Sequence, residues 1–200
     1  MEVELPEAEA EQPKSAPADR AENGPLDEAE ANPVRPYIDL GGIKVLPREG
    51  LNIRLEIEEA SKRVVAAGLD FADSSLQVQP FAAPRSSGLW HEIRVQIEEQ
   101  IAKQGGEVVL REGSLGPELL AQIPVPASGS TPAGVRLARF VGVDGPRWFL
   151  RGVISGAGAV DPAVAEQMDE LFRSIVVVRG NSPMPPRDLI PLKMPVTETP

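Results

Sequence analysis

The sequence predicts one α+β domain: a mainly antiparallel sheet covered by two helices, with disordered tails at both ends. Three observations carry this. Short runs of alternating apolar and polar residues recur between positions 36 and 156. Only two stretches, 89–104 and 161–175, place apolar residues at helical spacing. The charge is concentrated at the front: residues 1–32 hold ten acids (Glu2, Glu4, Glu7, Glu9, Glu11, Asp19, Glu22, Asp27, Glu28 and Glu30) against Lys14 and Arg20. That leaves the remainder nearly neutral within a net charge of −10. The layout is therefore an acidic arm over 1–33, a domain over 34–180 and a Pro-rich tail over 181–200. Arm and tail hold too few apolar residues to offset the entropy of ordering them.

Along the domain, Pro36–Pro47 (PYIDLGGIKVLP) reads as two short extended pieces kinked at Gly41-Gly42. Leu51, Ile53, Leu55 and Ile57 alternate with Asn52, Arg54, Glu56 and Glu58, which is a strand with one buried face. Strands follow over 63–69 and 75–81, joined through Asp70–Asp73. Trp90, Ile93, Ile97 and Ile101 mark the first helix; Ser87 stands where a cap is expected, and Gly105-Gly106 stop it. Residues 107–112 and 118–125 form a hairpin around Gly113–Pro117, and Pro126–Ala133 is a connector.

The stretch from Gly134 to Arg179 organises the rest. Asp144-Gly145 between two apolar runs signals a hairpin. With those two residues as the loop, Val143 faces Pro146, Val141 faces Trp148, Phe140 faces Phe149, Ala138 faces Arg151 and Arg136 faces Val153. A three-residue turn would change these pairs. Val135, Val141, Trp148 and Ile154 then share a core face, and Phe140 and Phe149 lie on the other face among Arg136, Arg147 and Arg151. Asp161 caps the second helix with Pro162 at its first position. Val164, Met168, Leu171, Phe172 and Ile175 form its apolar stripe, and Ile175–Val178 end it as a short strand.

The absence of cysteine excludes disulfides, zinc–thiolate sites, iron–sulfur clusters and thiol catalysis, and fits a reducing compartment. No apolar run is long enough for a membrane span and no signal peptide is visible, so the expected location is the cytoplasm. His91, the one histidine, has no elbow motif near it and reads as an ordinary surface residue. The glycine-rich run Gly152–Asp161 matches neither phosphate-loop spacing and ends on an acid, so it reads as a connection. Glu56, Glu58 and Glu59 lack further ligands at metal spacing. No catalytic, cofactor-binding or metal residue is assigned. The arginines Arg136, Arg139, Arg147 and Arg151, clustered with aromatics, have either the composition of an interface or that of a face covered by a helix, with the arginines reaching its edge or pairing with acids. The candidate surface is Arg136, Phe140, Arg147, Phe149 and Arg151.

PYIDLGGIKVLP, LWHEIRVQI (Leu89–Ile97) and DGPRWFLRGVISG (Asp144–Gly156) resemble an uncharacterised actinobacterial family defined by a domain of unknown function. The resemblance spans roughly residues 34–192 and carries over no activity and no catalytic residue. The late hairpin and helix are also similar in layout to PsbP-like sandwiches, which implies a binding or assembly module. The expectation is a non-enzymatic interaction or accessory protein that binds a protein partner through the Arg/aromatic face or its tails. One alternative is an enzyme or small-ligand binder with a pocket between the sheet and the first helix. Weak nucleic-acid binding is a further alternative, disfavoured by the acidic arm. Oligomeric state is left open.

Overall fold

The structure, a computed structural model, describes residues 11–195. Its centre is a seven-stranded antiparallel sheet of β4 (Asn52–Glu58), β5 (Arg63–Phe71), β6 (Ser74–Ala82), β7 (Glu107–Gly113), β8 (Gly116–Val125), β9 (Gly134–Asp144) and β10 (Trp148–Gly156), in the order β4-β5-β6-β10-β9-β8-β7. The late hairpin thus occupies the middle of the sheet. A small second sheet, in the order β1-β11-β3-β2, joins β1 (Leu26–Asp27), β11 (Val176–Val177), β3 (Ile43–Val45) and β2 (Ile38–Asp39). Helix α1 (Arg20–Asn23) is one turn; α2 (Trp90–Lys103) and α3 (Pro162–Arg173) are the covering pair. The expected α+β architecture is the one observed.

Local chemistry explains the turns. Ala72 and Asp73 both sit at left-handed φ (51° and 54°), the twist that suits a tight hairpin, so β5 and β6 run closer to their turn than the sequence suggests. The β7–β8 loop is likewise only Ser114-Leu115.

The β9–β10 register differs from the two-residue reading. Phe149 faces Asp144, Gly152 faces Val141, Val153 faces Phe140 and Ser155 faces Ala138. The loop is Gly145-Pro146-Arg147, closed by Gly145 N donating to Trp148 O at 2.8 Å. Pro146 has no N–H to give a ladder, and the Asp144 side chain is engaged elsewhere. The displacement is an even number of residues, so each side chain keeps its face. Val141, Val143, Trp148, Leu150 and Ile154 line one core with Met168, Leu171 and Phe172 of α3 and Ile43 and Val45 of β3. Phe140 and Phe149 line a second core with Trp90, Ile97 and Ile101 of α2.

Two glycines let the helices close on the hairpin. A Cβ on Gly142 would lie 2.6 Å from the Trp90 ring, and one on Gly152 would lie 2.9 Å from the Phe172 ring. Each helix seats its largest aromatic where a strand has no side chain.

Residues 1–10 of the expected arm and 196–200 of the expected tail lie outside the described residues. Between them, both ends are laid on the domain. Ser15 N donates to Asp144 Oδ2 and Asp144 N donates to Ser15 O, each at 2.9 Å. Arg20 lies over the Trp148 ring at 5.6 Å, and Trp148 Nε1 donates to Asp27 Oδ1 at 2.9 Å. β1 pairs in parallel with β11. At the other end, Ile190 N donates to Pro80 O and Lys193 N to Leu40 O, which buries Ile190 and Leu192 in the first core. Low overall hydrophobicity misses this because single anchors do the work: one arginine on one tryptophan, two aliphatics between prolines.

Candidate interaction surface

Of the expected surface residues, the structure brings Phe140, Phe149 and Arg151 together and sets Arg136 and Arg147 apart. Phe149 is fully buried and Phe140 is 7% exposed, both beneath α2. Phe149 stacks between Phe81 (6.2 Å) and Trp90 (5.7 Å). α2 covers this face because Trp90, Ile97 and Ile101 form its apolar stripe, and Trp90 Nε1 donates to Pro117 O at 2.8 Å. The space between sheet and α2, where a pocket was one alternative, is filled by these side chains. Arg136 is exposed near the start of β9. Arg147, in the hairpin loop, lies beside Arg179, and burial followed by repulsion from Arg147 lowers the pKa of the Arg179 guanidinium.

Arg151 is half-buried with its guanidinium carbon 5.8 Å from the centre of the Phe140 ring. Its Nε is out of contact with solvent and has no hydrogen-bond partner among the described residues. Burial lowers its pKa. It stands opposite Gln79, at the inner end of a ledge that α2 leaves beside itself by packing on β7, β8 and β9. Val153 and Ser155 of β10, Gln77 and Ser75 of β6, and Arg54 and Glu56 of β4 continue that ledge outward. Arg54 forms a two-pronged pair with Asp70 (2.6 and 2.9 Å), which holds the Asp70 carboxyl below its usual range, and Gln77 donates to Glu56.

Arg139, grouped by sequence with the interface arginines, points to the opposite face and is 2% exposed. Its Nε donates to Glu118 Oε2 and its Nη2 to Asp169 Oδ1, both at 2.9 Å, and its Nη1 donates to Gly158 O at 3.2 Å. Arg111 and Ser114 complete the carboxylates at 3.1 and 2.8 Å. The network ties β7, β8, β9 and α3 together with its polar groups satisfied, which is how a buried charge is tolerated. An arginine in the apolar row of β9, at 139 between Val135 and Val141, was the available signal.

A second feature that sequence reasoning missed is Asp144. The cap of α2 comes from this residue and not from Ser87: Asp144 Oδ1 accepts from Leu89 N at 2.8 Å, and Oδ2 accepts from Trp90 N at 3.5 Å and from Ser15 N. Burial raises its pKa, opposed by these three N–H groups and by Lys14. Lys14 itself is lowered by burial; its ammonium donates to Pro84 O at 2.8 Å and to Gly145 O.

The remaining candidates have local roles. His91 is exposed, with Arg94 Nη2 3.3 Å from its Nδ1. It borders a cleft of about 740 Å³ with Val95, Gln12 and the Arg187–Glu92 ion pair. In the glycine-rich connection, Gly158 N donates to Ser74 Oγ at 2.7 Å and Asp161 caps α3. Among the described residues, no helix is long and apolar enough to cross a membrane.

No curated protein and no solved structure matches the chain. A family described as "Protein of unknown function (DUF3710)" matches residues 24–199, a span that takes in β1, both sheets and the tail. The chain belongs to this DUF3710 family.

Proposed function

We propose that the chain is a non-enzymatic interaction protein of the cytoplasm that binds a protein partner through the polar ledge beside α2. The supporting observation is Arg151: a guanidinium held against Phe140, with its Nε unpaired among the described residues, at the inner end of a row of side-chain amides and hydroxyls. A half-desolvated arginine flanked by glutamines suits a partner segment that offers a carboxylate and backbone amides, and arginine beside aromatics is enriched at the centres of interfaces. The filled space under α2 fits docking better than a concave reaction site between sheet and helix.

Affinity capture from the native cell with Gln77→Arg and Arg151→Glu, against Glu99→Arg on the outer side of α2, tests this. Loss of one and the same partner in both ledge variants and its retention by Glu99→Arg is expected. Unchanged partners across all three, with circular dichroism showing intact folds, refute the reading.

A further inference from the structure

We infer that β7 is a self-pairing edge: a second copy of this chain adds to it antiparallel, with Val109 on the twofold axis. The two edges of the large sheet are built differently. β4 carries Arg54, Glu56 and Glu58, and its register is broken between Glu56 and Ile57. Charge and irregularity are the devices that keep an edge strand from recruiting another. β7 runs in unbroken register from Glu107 opposite Gln122 to Gly113 opposite Gly116, and its middle is Val108-Val109-Leu110. Val109 is 60% exposed on one face and Leu110 55% exposed on the other. An edge strand that is apolar on both sides has the pattern of an interior one.

Charge selects the occupant and the register. With Val109 on the axis, Val109 meets its own copy, Val108 meets Leu110, and Glu107 meets Arg111 twice. Sliding by one residue in one direction sets Glu107 against Glu112, and in the other it leaves both Glu107–Arg111 pairs unmade. Opposite charges directly across a strand pair stabilise it and like charges do the reverse. The strand is therefore complementary to itself, which is what a twofold interface requires. Glu107, Val109 and Arg111 share a face with the half-buried Leu120, and Leu110 is exposed on the other face, so apolar surface of both copies borders the seam on each side.

Sedimentation equilibrium of the full chain tests this, using Val109→Lys, Val109→Glu and their equimolar mixture. Concentration-dependent dimerisation of the native chain is expected, weakened about tenfold or more in each variant alone by like charges on the axis and recovered in the mixture. Because the chain has no cysteine, Val109→Cys should yield a disulfide-linked dimer on mild oxidation, and Val135→Cys should not. A monomer from micromolar to millimolar concentration, a dimer indifferent to charge at 109, or a mixture no stronger than its components overturns the inference.

Discussion

Replacing Asp144 tests how the last residue of β9 holds together three segments far apart in sequence. Asp144→Ala removes the side-chain cap of α2 and the acceptor for Ser15 N. An N-cap contributes about 0.5–2 kcal/mol, and the bond to Ser15 about 0.5–1.5 kcal/mol. The expected loss is therefore about 2–3 kcal/mol, which for a chain of this size lowers Tm by about 4–12 °C. Asp144→Asn keeps one acceptor oxygen for Leu89 N and loses the second, so its loss should be about 1 kcal/mol. The pH dependence separates the two effects. The native carboxyl is raised above its ordinary value of 3.8. The folded protein therefore holds a proton where the unfolded chain has released it, and this contribution to stability is present below 3.8 and lost as pH rises through the folded value. Relative to Asp144→Asn, the native chain should gain stability as pH is lowered from neutrality. Urea unfolding followed by tryptophan fluorescence reads all three chains, since Trp90 and Trp148 are both fully buried. A loss below about 0.5 kcal/mol for Asp144→Ala, the size of an ordinary surface substitution, would refute the reasoning. So would an Asn variant as unstable as the Ala variant.

Arg139→Met should destabilise by about 3–5 kcal/mol, because it leaves Asp169 buried without a cation and Glu118 with Arg111 alone; denaturant midpoints read this directly. Gly142→Ala and Gly152→Ala should each cost about 1–3 kcal/mol through overpacking against Trp90 and Phe172, checked by thermal melts with Gly134→Ala, which meets nothing, as control. Ile190→Ala and Leu192→Ala should each cost about 2–4 kcal/mol, because both seal the main core from the tail; a tail without fixed structure would leave stability unchanged.

The parts of the fold set by periodicity were readable. Faces of a strand follow parity, so Val141 and Trp148 fell on one core and Phe140 and Phe149 on the other even though the loop is longer than two residues. The stripe of α3 and its Asp161 cap are local patterns and were visible as such. The cap of α2 was not, because its acceptor lies 55 residues away from Leu89. The docking of the arm was hidden for a different reason. Composition averages over 1–32, whereas Lys14, Arg20 and Asp27 each meet particular groups on the domain. For the tail, Ile190 and Leu192 on either side of Pro191 were a short alternating signal submerged by the neighbouring prolines. The ledge is the least legible feature. Its makeup follows from where α2 stops covering the sheet, and no stretch of sequence states that.

The interlocking ends bear on how the chain reaches its fold. Asp19 meets Arg173 across 154 residues, and Lys14 meets Gly145 across 131. Contacts of such separation place the molecule among slow, high-contact-order folders. On the ribosome the central hairpin can pair as soon as it emerges, but the groove over Pro80 and Leu40 stays open until Ile190 and Lys193 are made. The arm's own partners, Asp144, Trp148, Val176 and Arg173, are complete before then, so the interval exposes the flank of β6, and not the seat of the arm, to chaperones and to neighbouring nascent chains.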